Sequence, residues 1–245
     1  MWGYHRHQDS QEFLSFLLNS IEEEISEKVI FIPGRINNNL EHKLGDNLLH
    51  LMANNCWQKY IKNEFSIIKS LFGGMTHIVT TCSYCSNKSH NFDFFQILQL
   101  SCNNNTTLEG CLDEFIKEEK IDNDNMIKCD FCGHYNKSTK QNKFWKLPKI
   151  LIIQLKRFEG QNRAVKISKM IEYPMNININ NYNYKLFAVN NHHTIGNSIN
   201  FGHYTSFVIN RFNNKWYKFD DANNLEEVNE IISKNAYNLF YIRND

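Results

Sequence analysis

The stretch "NFGHYTSFVINRFNNKWYKFDD", Asn200 to Asp221, decides how the rest of the chain is read. "HYTSFVI" alternates polar and apolar residues and is rich in β-branched and aromatic side chains, which predicts a strand. A polar turn follows, then a second short strand ending in two aspartates, so the segment reads as a hairpin. His203 stands at a sheet end, where Gly202 lets another stretch of backbone pass close. Asp220 follows 17 residues after His203, a separation that suits a carboxylate returned to one ring nitrogen. A histidine held that way is a general base. In the competing reading, Asp220 and Asp221 open a turn or cap a helix near "LEEVNEII". Spacing alone leaves both open.

With 245 residues, 42% of them hydrophobic and 13% aromatic, the chain can bury one sizeable core or two small ones. Lys and Arg number 27 against 26 Asp and Glu, a formal charge of +1. No global field draws such a chain to nucleic acid or anionic lipid, so neither is an expected partner. The opening "MWGYHRHQDSQ" has no apolar signal region, and runs such as "ILII" are too short to span a bilayer. The expected setting is intracellular, cytoplasmic or nuclear, with no membrane. Asparagine tracts ("INNNL", "CNNNTT", "NININNYNY") mark loops.

From Asp9, "DSQEFLSFLLNSIEEEIS" places Phe13, Phe16, Leu17, Ile21 and Ile25 at helical spacing, and Asp9 with Glu12 fits a capping box. Residues 29–47, with Pro33 and Gly34, read as a loop, and a second helix is expected over roughly 47–63. After "SLFGG" the pattern turns to strands: "MTHIVTTC", "FDFFQILQL", "KQNKFWKL" and "KILIIQLKRF". "TTLEGCLDEFIKEE" between them reads as a short helix. From Tyr184 onward strands alternate with turns. The prediction is an α+β fold in one continuous domain.

Four of the seven cysteines form two Cys-x-x-Cys pairs, Cys82 with Cys85 and Cys129 with Cys132. Each pair bends two thiolates around a tight turn, and two such knuckles supply the four ligands of a tetrahedral Zn²⁺. Gly133 suits the second turn. A redox pair is disfavoured because the pattern occurs twice. Four protein ligands leave no open coordination position, so this metal is structural.

Several segments together resemble the catalytic domain of the ubiquitin-specific proteases, cysteine peptidases of papain-like fold. They are "HQDSQEFLSFLL", "CSYC", "CDFC", "LPKILIIQLKRF", "YKLFAVNNH", "GHYTSFV", "WYKFDDANN" and "AYNLFYIR", in the family's order and over nearly the whole chain. The resemblance implies a deubiquitinase: thiol-dependent hydrolysis of isopeptide or peptide bonds at ubiquitin's C-terminus, with ubiquitin and ubiquitinated proteins as partners. It casts His203 as general base and Asp220, or Asp221, as its orienting acid. It casts Cys82, Cys85, Cys129 and Cys132 as zinc ligands of the fingers. Residues 1–70 would be a remnant of the thumb, 71–145 the fingers and 146–245 the palm. Gln8, Asp9, Glu12, Gly202 and Tyr204 become substrate contacts at ubiquitin's tail, although helix capping explains Asp9 and Glu12 without a ligand. His192 or His193 matches a family histidine and reads as a structural donor.

The family's nucleophile lies in a segment like G-x-x-N-x-G-N-T-C ahead of the "QDSQEF" helix. No such segment occurs in these 245 residues, and Met1 stands seven residues before Gln8. Cys56 in "NNCWQKY" follows the helix it should precede, and Cys102 and Cys111 read as core. The expectation is therefore a catalytic domain incomplete at its N-terminus, lacking the cysteine box. Three explanations follow: a piece of a longer reading frame, a piece completed by another polypeptide or activator, or a catalytically inactive ubiquitin-binding module. The first is favoured because the "GHY" and "FDD" segments are kept. The apolar face at Phe13, Phe16 and Leu17 should then lack part of its cover.

Overall fold

Strands drawn mostly from the second half of the chain build an eight-stranded sheet. The computed structural model describes residues 9–29, 46–61, 64–122, 125–159, 165–194, 202–221 and 223–244. Gln8 and most of the expected loop at 29–47 lie outside them.

The sheet runs Glu226–Val228, Trp216–Phe219, Gly202–Ile209, Tyr182–Thr194, Ala236–Arg243, Ile150–Lys156, Ile97–Ser101, with Asn176–Ile179 paired to Tyr182–Thr194. Neighbours are antiparallel except Ile150–Lys156 and Ile97–Ser101, which are parallel. The largely apolar run "ILIIQL" belongs to this inner position: Leu151, Ile152, Ile153 and Leu155 are fully buried. The helix Leu108–Ile116 buries Leu108, Cys111 and Leu112 along one stripe. Buried tyrosines keep their hydroxyls paired, Tyr184 donating to the Pro148 carbonyl, Tyr173 to Ile231 and Tyr241 to Pro174. Residues 1–19, 96–115 and 148–245 form this unit.

Residues 20–95 and 116–147 form a second unit. Its antiparallel sheet runs Lys88–Phe95, Gly74–Cys82, Ser138–Lys146, Glu119–Ile121. Ala53 of the helix Asp46–Ile61 packs with Met75 and Phe92, and Tyr60 stacks on Phe94 at 4.5 Å. A two-residue hairpin, Ile127–Lys128 with Tyr135–Asn136, lies beside the cysteine pairs in sequence.

The helix Ser10–Ile25 starts where predicted: Asp9 Oδ1 accepts the amides of Gln11 at 2.7 Å and Glu12 at 3.2 Å. Leu18 is buried, whereas Phe13, Phe16, Leu17, Ile21 and Ile25 are between 37% and 50% exposed. Two expectations need correction. "FDFFQILQL" is not one strand: it breaks at Gln96 because Lys88–Phe95 and Ile97–Ser101 find partners in different sheets. "LEEVNEII" forms no helix among the described residues. Its Glu226–Val228 adds an edge strand to Trp216–Phe219, tertiary pairing overriding local preference. No described helix is long and apolar enough to cross a membrane.

In the smaller sheet His77 is buried, and its Nε2 lies 2.9 Å from His90 Nδ1 with Phe92 stacked on the ring at 4.8 Å. Burial, then His90 and Lys143, lower the His77 pKa; burial, then Lys88 and Lys143, lower that of His90. Both therefore bind protons more weakly folded than unfolded. Their stability is present above the unfolded histidine range and is lost as pH falls below it. The thermal midpoint should fall between about pH 7 and about pH 5, and His77→Phe should flatten that dependence; an unchanged slope in the variant would rule the pair out as its source.

Candidate functional site

Antiparallel pairing of Gly202–Ile209 with Trp216–Phe219 sets Ser206 opposite Phe219 and brings the next residue, Asp220, back toward His203. Asp220 Oδ1 lies 2.6 Å from His203 Nε2, and Lys218 Nζ lies 2.8 Å from Asp220 Oδ2. Lys218 and Asp220 are two residues apart, so the strand period puts both on one face. The Lys218 contact first, and the His203 contact next, hold the Asp220 carboxyl down at about 2. An ionised carboxylate only accepts, so Nε2 carries the hydrogen and Nδ1 keeps its lone pair. Asp221 Oδ2 stands 3.7 Å from Nδ1, too far for a hydrogen bond, and its side chain is 79% exposed. Asp221 adopts φ 46, which turns the chain out of the sheet, and the Asn223 amide closes that turn on the Asp220 carbonyl.

Gly202 has no room for a side chain. A Cβ there would collide with His192 Nε2 and lie 2.8 Å from the His193 carbonyl oxygen. His192 is buried between Phe158 and Tyr204, and burial, aided by Lys166, pushes its pKa down to about 4. It is neutral at physiological pH. Beside it, the Tyr204 hydroxyl accepts the Ser10 amide at 3.3 Å, and Tyr237 donates to Asp9 Oδ2 at 2.7 Å. Both Asp9 oxygens are thus engaged within the fold, while Glu12 is exposed.

In the second unit the four cysteines converge, their sulfurs all within 4.8 Å of one another. Cys85 and Cys129 Sγ are 3.7 Å apart, and a tetrahedron with metal–sulfur bonds of about 2.3 Å has an edge of about 3.8 Å. The set fits a tetrahedral metal, and all seven cysteines are free thiols. The Cys85 amide is the main influence lowering Cys82. Cys85 is raised: the Asn87 amide opposes the rise, but burial and the other sulfurs outweigh it. Asn136 Nδ2 approaches Cys132 Sγ at 3.8 Å, and Gly133 takes φ 74, the left-handed turn a knuckle needs. The group can hold a metal ion.

Sequence reasoning passed over Lys218, Asn235 and Lys166. Lys218 carries a usable signal, its two-residue step from Asp220. Asn235 and Lys166 carry none, since Asn235 meets His193, and Lys166 meets Asn235, only through side-chain hydrogen bonds between segments far apart in the chain.

A family model described as ubiquitin carboxyl-terminal hydrolase matches residues 3–241. Ubiquitin carboxyl-terminal hydrolase Usp2 of Drosophila melanogaster is 34% identical over 258 residues, covering 99% of this chain and 26% of that protein. Ubiquitin carboxyl-terminal hydrolase 2 of Gallus gallus is 33% identical over 256 residues, covering 98% of this chain and 69% of that protein. Among solved structures, a SAGA DUB module of Ubp8, Sgf11, Sus1 and Sgf73 matches with TM-score 0.75 and 25% identity over 98% of this chain and 51% of that one. A SAGA DUB module bound to monoubiquitin matches with TM-score 0.64 and 26% identity, over 82% and 48% respectively. The fold is that of a peptidase-type hydrolase. The chain belongs to the ubiquitin carboxyl-terminal hydrolase family, and it spans about a quarter of the Drosophila relative and about half of the SAGA chains.

If Lys218 is the stronger influence on Asp220, Lys218→Met should raise the carboxyl midpoint more than His203→Gln does. Carbon-13 NMR of the Asp220 side chain reads both; the reverse order would assign control to the imidazole.

Proposed function

We propose that this chain carries the base half of a cysteine-type deubiquitinase that hydrolyses isopeptide and peptide bonds at the C-terminus of ubiquitin. The observation that carries the reading is the 2.6 Å contact between His203 Nε2 and Asp220, together with membership of the family. Asp220 orients the ring and stabilises the imidazolium, while Nδ1 takes the proton of a thiol. The thiolate attacks the carbonyl carbon of ubiquitin's terminal glycine, and the imidazolium returns the proton to the departing amine. In the second half His203 takes a proton from water, which attacks the thioester and frees the ubiquitin carboxylate and the thiol. The thiol comes from outside these 245 residues, in a longer reading frame or a completing polypeptide. Four of the chain's own cysteines cluster together, Cys102 and Cys111 are buried, and Cys56 packs against the Ala53 core.

Ubiquitin and ubiquitinated proteins are the partners in this reading, within the cell. In this reading Gln8, Asp9, Glu12, Gly202 and Tyr204 contact the substrate. Residues 1–70 act as thumb, 71–145 as fingers and 146–245 as palm. Cys82, Cys85, Cys129 and Cys132 hold a structural Zn²⁺, which stabilises the fingers and takes no part in the chemistry. The buried and clustered state of the chain's thiols also favours a second reading, a ubiquitin-binding module without turnover.

With the thiol-bearing segment present, His203→Gln should lower kcat/KM on a C-terminal ubiquitin ester or amide by about 10³-fold, with ubiquitin affinity kept. Equal loss of affinity and rate would contradict the base role, and full binding with no hydrolysis by the unmutated protein would select the binding module. For the metal, the purified chain should carry one zinc by elemental analysis. Cys129→Ser should release it and lower the unfolding midpoint, whereas a metal-free chain of unchanged stability would refute the zinc assignment.

A further inference from the structure

A second histidine stands behind the His203–Asp220 pair, and the proposed reaction does not use it. His193 is the direct antiparallel partner of His203, their ring centroids 6.4 Å apart. Two imidazoles so placed can contest one proton. A chain of hydrogen bonds settles which one takes it. Buried Lys166 donates from Nζ to the His192 carbonyl and, at 3.4 Å, to Asn235 Oδ1. An ammonium has donors only, so the amide oxygen must face it and the amide NH₂ must face the other way. That NH₂ lies 3.1 Å from His193 Nδ1. Nδ1 therefore accepts and carries no proton, and Nε2 bears the hydrogen toward Thr205 Oγ1 at 2.9 Å. Asn235 is held in turn by its own backbone: its carbonyl accepts the His192 amide at 2.9 Å and its amide donates to Ser233 Oγ at 3.1 Å.

We propose that Lys166 and Asn235 lock His193 in the neutral Nε2–H tautomer, so that His203 alone of the facing pair carries the reaction's proton. The inference rests on the base role proposed for His203, and makes Lys166, Asn235 and His193 positioning residues. Protonating His193 at Nδ1 would require the amide to turn and set its NH₂ against the ammonium. The groups around His193 act the same way: burial first, then Lys166, His203 and Lys218, lower its proton affinity, and Asp220 alone raises it. His192, on the same strand, is neutral. Burial lowers Lys166 itself to about 8, so the lock holds below that pH and loosens above it.

Nitrogen-15 NMR of the histidine rings in the 245-residue chain tests this directly. His193 Nδ1 should keep the shift of an unprotonated nitrogen from about pH 8 down through the His203 transition. Asn235→Asp replaces the donor by an acceptor and should protonate His193 Nδ1 at neutral pH. Lys166→Met frees the amide to turn, and should likewise bring a proton to Nδ1. A proton on Nδ1 in the unmutated chain, parallel titration of the two histidines, or an Nδ1 left bare in every variant that folds would overturn the inference. No turnover is needed for this readout, so absence of hydrolysis would count against the proposed function and leave the lock standing.

Discussion

The site depends on keeping one carboxylate ionised next to an imidazole that changes charge. Asp220 meets that demand because two donors share it, Lys218 on one oxygen and His203 on the other. Lys218 is the stronger influence, so the carboxylate does not need the histidine to be charged in order to remain charged itself. That separation lets Asp220 fix the ring through Nε2 and, in the proposed reaction, leaves Nδ1 to act as base. The arrangement costs little sequence: Lys218 on the strand Trp216–Phe219, Asp220 just past its end, and a left-handed turn at Asp221 that takes the chain out of the sheet.

The two units solve different problems. The larger sheet buries Leu151, Ile152, Ile153 and Leu155 of Ile150–Lys156, which pairs with Ala236–Arg243; that strand in turn pairs with Tyr182–Thr194, the neighbour of the strand that carries His203. In the smaller unit four cysteines converge, and a metal of tetrahedral preference matches their separations. A metal bound there contributes to folding, because the unfolded chain has no such site.

Much of this was legible in sequence because its causes are local. Alternation announced the strands around His203, the Cys-x-x-Cys spacing announced the convergence of the four cysteines, and Asp9 announced the helix start. What stayed hidden depends on partners far along the chain. "FDFFQILQL" reads as one strand because nothing local says that its halves join different sheets, and "LEEVNEII" reads as helical because its edge pairing with Trp216–Phe219 is invisible in one dimension. Lys166 and Asn235 are 69 residues apart, and neither belongs to a motif. The shape of the pair is therefore readable, while the control of its neighbour's protonation is not.

The central claim is that the His203 hairpin serves a site for ubiquitin's C-terminal tail. Titrating isotope-labelled ubiquitin with this chain measures it most directly. The account predicts chemical-shift changes that include the C-terminal tail of ubiquitin and weaker binding when the terminal glycines are removed. Binding that ignores the tail, or no binding by a folded, metal-loaded chain, would contradict it.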